Sequence, residues 1–162
     1  MSEKGFTVWV TGADPSALRD VVDSLVGSLT ARQLAVETID AGTPGMQGLD
    51  ADAAARAVVL AAGLLTRNGI VSVVALPGTR AGRDRARADL GRMIEIYVPG
   101  DRPGYEPPDR PEVEIAASDT AAGTERVLRT LEVLRLLPRD DARYSEEEER
   151  EVIKRLKAFG YL

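Results

Sequence analysis

The sequence predicts an α/β domain built on a five-stranded, mostly parallel sheet. Two observations carry this. Five short segments of high β-propensity alternate with segments of helical periodicity, the order expected when helical crossovers connect parallel strands. The chain also has 162 residues, 44% of them apolar, enough for one such core.

The first strand is Phe6-Thr7-Val8-Trp9-Val10-Thr11, followed by Gly12; it lacks polar alternation, as a strand covered on both faces should. Asp14-Pro15 then offers an N-cap acceptor and a preorganised first helical residue. Leu18, Val21, Val22, Leu25, Val26 and Leu29 recur at helical spacing, so a helix is expected over 15–30. Residues 34–39 read as a second strand, and the Gly/Pro-rich segment 41–48 as a connection at one sheet edge. An alanine-rich helix over 50–66 precedes a β-branched strand over 70–76. An arginine-rich helix over 79–90, a strand over 93–98 and a shorter one over 112–115 follow. Prolines at 99, 103, 107, 108 and 111 make the segment between the last two strands a stiff loop. A helix over 120–137 closes one side of the sheet, with Pro138 as its stop.

Residues 1–138 therefore form the α/β domain, and 139–162 a polar linker and an amphipathic helix over 145–158. Ser145 and Glu148 have capping-box spacing; Glu146 and Glu147 suit the positive end of that helix, and Lys154, Arg155 and Lys157 its negative end. Val152, Ile153, Leu156 and Phe159 dock on the domain, a second subunit or a partner.

The absence of cysteine and histidine excludes disulfides, thiolate metal sites, cysteine nucleophiles and imidazole acid/base chemistry. A formal charge of −5 argues against broad affinity for nucleic acid or anionic membrane. The opening MSEKGFTVWV lacks a basic-then-apolar leader, and a cytoplasmic location is expected.

In such a sheet the loop from the first strand to the first helix is the customary anion site, because backbone N–H groups converge there. A triphosphate loop needs G-x-x-x-x-G-K-[ST]; in that register stand Gly12, Ala17, Leu18 and Arg19. Leu18 offers no ammonium and Arg19 no hydroxyl ligand for magnesium, while Pro15 removes an amide donor. Asp14 would place a carboxylate where a phosphate belongs and act as an internal substitute for the anion.

Several segments, in order, resemble the adenylylsulfate kinase family: Gly5-Phe-Thr-Val-Trp-Val-Thr-Gly12, Asp40 after the second strand, and Leu64-Leu-Thr-Arg-Asn-Gly69. Arg80-Ala-Gly-Arg-Asp84, Glu95-Ile-Tyr-Val98 and Tyr105-Glu-Pro-Pro108 continue the likeness, which covers residues 5–135. It implies a three-layer, P-loop kinase-like fold and, in an intact member, magnesium-dependent transfer of the ATP γ-phosphoryl group to the 3′-hydroxyl of adenylylsulfate. Position by position, the phosphate-loop Lys falls on Leu18 and the magnesium-binding Ser/Thr on Arg19. The D-G-D triplet becomes Asp40-Ala41-Gly42, and the substrate-contacting Asn-x-Arg-Arg becomes Ala54, Ala55, Arg56 and Ala57. I-S-P-Y-R becomes Leu76-Pro-Gly-Thr-Arg80, and the long basic lid with R-D-x-K-G-L-Y is missing after Val98.

These departures lead to the expectation of a catalytically inactive relative, without catalytic residue, metal or cofactor, that serves as a protein-binding, regulatory or scaffold module. The alternatives are a non-catalytic binder of a nucleotide or sulfated ligand, and an active kinase of altered mechanism. Arg56 and Arg80 are the candidates for residual anion binding, and Asp40 is either a remnant carboxylate or a turn acceptor. Arg80, Arg83, Arg85 and Arg87 read as a solvated helix face or, less simply, as an anion or partner contact, and Trp9 as core or oligomer contact. A protein partner or homo-oligomer, with a dimer as the expected form, completes the reading.

Overall fold

The computed structural model describes residues 4–138 and 146–162. Five strands, β1 (Thr7–Gly12), β2 (Val36–Asp40), β3 (Val71–Ala75), β4 (Met93–Val98) and β5 (Val113–Glu114), form one sheet in the order β2-β3-β1-β4-β5. Every pairing is parallel; Trp9 stands beside Val74 on one side and Glu95 on the other. The helices are α1 (Pro15–Ala31), α2 (Ala51–Arg67), α3 (Arg80–Leu90), α4 (Thr120–Val133) and α5 (Glu146–Ala158).

The sheet divides two cores. One joins Val8, Val10, Ile94 and Ile96 to Leu18, Leu25 and Leu29 of α1 and Leu128 and Leu131 of α4. The other joins Trp9, Ile39, Val74 and Met93 to Val58 and Ala62 of α2 and Ala86 of α3. Helices on both faces let β1 be buried along its whole length, which is why its sequence shows no polar alternation.

Local chemistry sets most helix starts. Asp14 Oδ1 accepts from Ser16 N at 2.9 Å ahead of Pro15, and Thr79 Oγ1 accepts from Gly82 N at 3.0 Å. The fourth helix differs from expectation: it ends at Val133, before Pro138. Arg135 takes a left-handed φ of 60°, and the Leu131 carbonyl accepts from the N–H groups of Leu136 and Leu137. This turn returns Leu137, 4% exposed, to the core, where its burial stabilises the fold.

The last helix completes the monomer. Val152 and Leu156 are buried, α5 lies against α4, and Arg129 Nη2 meets Glu148 Oε2 at 2.5 Å. The expected linker at 139–143 and the Ser145 cap lie outside the described residues.

Candidate functional site

In the observed strand order the chain leaves β1 toward β3 and β2, then crosses back to β4 and β5, so the carboxyl ends of β1 and β3 border the switch-point crevice. Gly12 ends β1 there. A Cβ on Gly12 would lie 2.7 Å from the Val98 carbonyl oxygen and 3.0 Å from Leu18 Cδ2, so glycine permits the close approach of β1, β4 and α1. Leu18 points into the core and is 4% exposed; Ala17 is likewise buried, whereas Arg19 is exposed. The first turn of α1 has also given up donors: Pro15 has no N–H, and Ser16 donates to Asp14 Oδ1.

The proline-rich loop after β4 folds over this end of the sheet. Thr11 Oγ1 donates to the Pro77 carbonyl at 2.6 Å, so its remaining contact, at 2.8 Å, is accepted from the Tyr105 hydroxyl. Tyr105 stacks on Tyr97 with centroids 6.3 Å apart, and burial pushes its phenol pKa up. Trp9 Nε1 donates to Leu76 O at 2.8 Å, which fixes the end of β3 and makes Trp9 a core residue. Gly78 follows at φ 65°; a Cβ there would stand 2.9 Å from Trp9 Cζ2.

The arginine-rich helix corrects the expectation of a solvated face. Arg83 is fully buried: Nη1 donates to the carbonyls of Pro77 at 2.7 Å and Gly78 at 2.8 Å, Nη2 donates to Glu106 O, and Nε lies 3.4 Å from Glu95 Oε2. Arg87 bridges Glu95 Oε1 at 3.0 Å and the buried Glu112 carboxylate, whose Oε2 also accepts from Glu95 N at 3.0 Å. Burial alone would lower the Arg87 pKa, but Glu112 and Glu95 outweigh it and raise it. Burial pushes the Glu112 carboxyl up, with Arg87 and Glu95 N–H pulling it part of the way back. Arg85 is a surface residue, 65% exposed beside Asp89. The carboxylates set these positions: a charge on a buried strand needs a partner, and α3 supplies it at i and i+4. Glu95 within Met93-Ile94-Glu95-Ile96 was the sequence signal for this network.

Arg80 is occupied as well. Its Nε and Nη2 donate to Pro107 O at 3.1 and 2.9 Å, and Nη1 lies 3.5 Å from Asp109 Oδ1. Arg80 and Arg83 thus tie the loop down at adjacent carbonyls. Asp40 closes a turn, with Oδ1 accepting from Gly42 N at 2.8 Å. Arg56 is exposed on α2 and has no ion pair among the described residues. Gly12, Asp14, Ala17, Leu18 and Arg19 follow one another from the end of β1 into the start of α1, whereas Asp40 and Arg56 belong to other elements. Thr11, Tyr105 and Glu95 carry no site role in the sequence reading, because their association with Arg83 depends on loop closure. Among the described residues no group of three acidic side chains is placed to hold a metal ion, and no helix is long and apolar enough to cross a membrane.

The chain is homologous to adenylyl-sulfate kinases. It is 34% identical over 106 residues to the probable adenylyl-sulfate kinase of Pyrococcus abyssi, covering 59% of this chain and 60% of that protein. It is 31% identical over 107 residues to the enzyme of Rippkaea orientalis, covering 60% and 59%. The matched segment therefore spans about three fifths of these curated relatives. The fold matches the APS kinase of Mycobacterium tuberculosis, solved with AMPPNP and APS, at a TM-score of 0.67 and 19% identity over 80% of this chain and 99% of that one. The hexameric APS kinase from Thiobacillus denitrificans matches at 0.60 and 21% identity over 99% of this chain and 30% of that one. These similarities establish a P-loop kinase-like α/β architecture. No family model matches the chain.

Proposed function

We propose that this chain is an adenylylsulfate-kinase-like protein that has lost phosphoryl transfer and acts as a protein-binding or regulatory module. The observation that carries the reading is Leu18: at the position of the family's phosphate-loop lysine it is a core residue, packed against the β1 end at Gly12. Phosphoryl transfer depends on positioning and on charge aimed at the phosphates. The residues present do not fit a nucleotide triphosphate with magnesium. Leu18 brings no charge, Arg19 no hydroxyl, and Asp14 sets a carboxylate on the helix end that a phosphate would need. Over the same crevice, Tyr105 and the carbonyls of Glu106 and Pro107 are held by Thr11, Arg83 and Arg80. The arrangement supports a closed, rigid surface in place of a moving lid.

Calorimetry with millimolar ATP and magnesium, with and without adenylylsulfate, should show no binding. Micromolar, magnesium-dependent binding would overturn the reading. A second reading, retention of a sulfated or phosphorylated ligand without transfer, is favoured by the exposed Arg56. Titration with adenylylsulfate alone separates the two, since binding lost in Arg56→Ala would support the second.

A further inference from the structure

We propose that the turn after α5 is a clasp for the proline-rich loop, so that docking of α5 and closure of the loop over the crevice are a single conformational event. The loop, residues 99–111, has little to hold it from within. Among the described residues its own backbone bonding is limited to Tyr105 N donating to the Arg102 carbonyl at 3.2 Å. Closure therefore depends on side chains from elsewhere. Thr11, Arg83 and Arg80 hold residues 105–109. The limb that continues toward β5 is held from α5: the Tyr161 hydroxyl donates to Arg110 O at 2.8 Å, and Arg155 Nη2 donates to Pro111 O at 3.4 Å.

The aim of Tyr161 is set locally. Gly160 takes a left-handed φ of 82°, its N–H donates to Lys157 O at 3.1 Å, and the Tyr161 N–H donates to Leu156 O at 2.9 Å. This pair of bonds turns the chain back, and Leu156 is itself fully buried, so the turn is placed only while α5 is docked. Once turned back, the Tyr161 ring lies 5.4 Å from the guanidinium carbon of Arg87, which in turn holds Glu112, the residue after the loop. Side chains of α3 and α5 thus close on one limb from two sides. Prolines 107, 108 and 111 fix φ along it, so release at Arg110 and Pro111 is passed to the contacts at 105–109 instead of being absorbed between them. By linkage the coupling is reciprocal: freeing α5 opens the crevice, and a group wedged under the loop loosens α5.

The clasp does not rest on the loss of phosphoryl transfer: that loss is read by calorimetry and the clasp by accessibility, so either can fail alone. Because the chain has no cysteine, Thr11→Cys places a single thiol under Tyr105, and Ser72→Cys places one on β3 beside Thr7; both positions are fully buried. When closing outruns labelling, the rate of maleimide labelling measures the open fraction. Tyr161→Phe should speed labelling of the Thr11→Cys thiol about fivefold, the equivalent of one net hydrogen bond. Gly160→Ala meets no neighbouring atom but strains the left-handed turn, and should speed it about tenfold. Neither change should alter the rate at Ser72→Cys, which reports opening of the whole fold. Hydrogen exchange at the Tyr105 amide, in a chain with no introduced thiol, should rise in the same two variants. An unchanged rate at either loop probe would overturn the proposal. So would an equal rise at Ser72→Cys, because Tyr161 would then contribute to global stability alone.

Discussion

The hydroxyl of Tyr105 donates to Thr11 Oγ1 at 2.8 Å, joining residues 94 positions apart. Thr11 Oγ1 in turn donates a hydrogen bond to the Pro77 carbonyl, so three segments meet at the carboxyl end of β1: the strand itself, the loop after β3 and the proline-rich loop. Tyr105→Phe should reduce stability by about 0.5–1.5 kcal/mol in urea unfolding, the usual net value of one hydrogen bond. If Thr11→Val adds its full effect to that of Tyr105→Phe, the two residues are not coupled as described.

Leu18 supplies a second test. Leu18→Ala should cost about 2–5 kcal/mol, as expected for a core leucine. Leu18→Lys should destabilise the fold because an ammonium would enter the α1–sheet core, and it should confer no ATP affinity in calorimetry. Acquisition of micromolar binding by this single change would show that the lysine alone was lacking.

The arginine-rich helix separates structural from solvated charge. Arg83→Met should lower stability by about 3–5 kcal/mol, since it leaves Glu95 and three carbonyls short of a buried partner. Arg85→Met should stay within about 0.5 kcal/mol. Similar denaturation midpoints for the two variants would contradict the buried network.

Docking of the last helix is tested at Leu156, which is fully buried, whereas Leu162 is 55% exposed. Leu156→Ala should cost about 2–5 kcal/mol in the same urea experiment. Leu162→Ala should change little. Equal, negligible effects would mean that α5 contributes nothing to the cooperative fold.

Tyr161 gives a signature at high pH. Its hydroxyl donates to Arg110 O at 2.8 Å, and its ring lies 5.4 Å from the Arg87 guanidinium carbon. Burial, then the charge of Glu112, pushes its pKa up to about 12. A raised pKa means that the folded state holds the proton more tightly. The stabilisation is therefore complete below the ordinary value near 10 and is lost as pH rises through about 12. Ultraviolet titration should show a tyrosinate appearing near pH 12 that is missing from Tyr161→Phe. Ionisation of every tyrosine near pH 10 would count against the docked position.

The element order was legible because local spacing carries it. Apolar runs in β1, β3 and β4, the helical period of α1 and the Asp14-Pro15 start all act over a few residues. The end of α4 was not, since Leu137 turns back toward a core assembled from distant segments. The same distinction holds at the site. The mismatch of Leu18 and Arg19 with a phosphate loop is visible in a row of letters, and Asp14 takes the capping role its position predicts.

Arg83 and Arg85 look alike in sequence, and only the tertiary structure makes one fully buried and the other a surface charge. By itself the sequence determined the α/β order, the kinase-like segments and the departure of Leu18 and Arg19 from a triphosphate-loop pattern, because residue type and near-neighbour spacing are enough for these. The tertiary structure decided what stands over the crevice and which charges are withdrawn from water. Both depend on groups such as Thr11 with Tyr105 and Arg87 with Glu112, which meet only after the sheet has brought its carboxyl ends, α3 and the loop together.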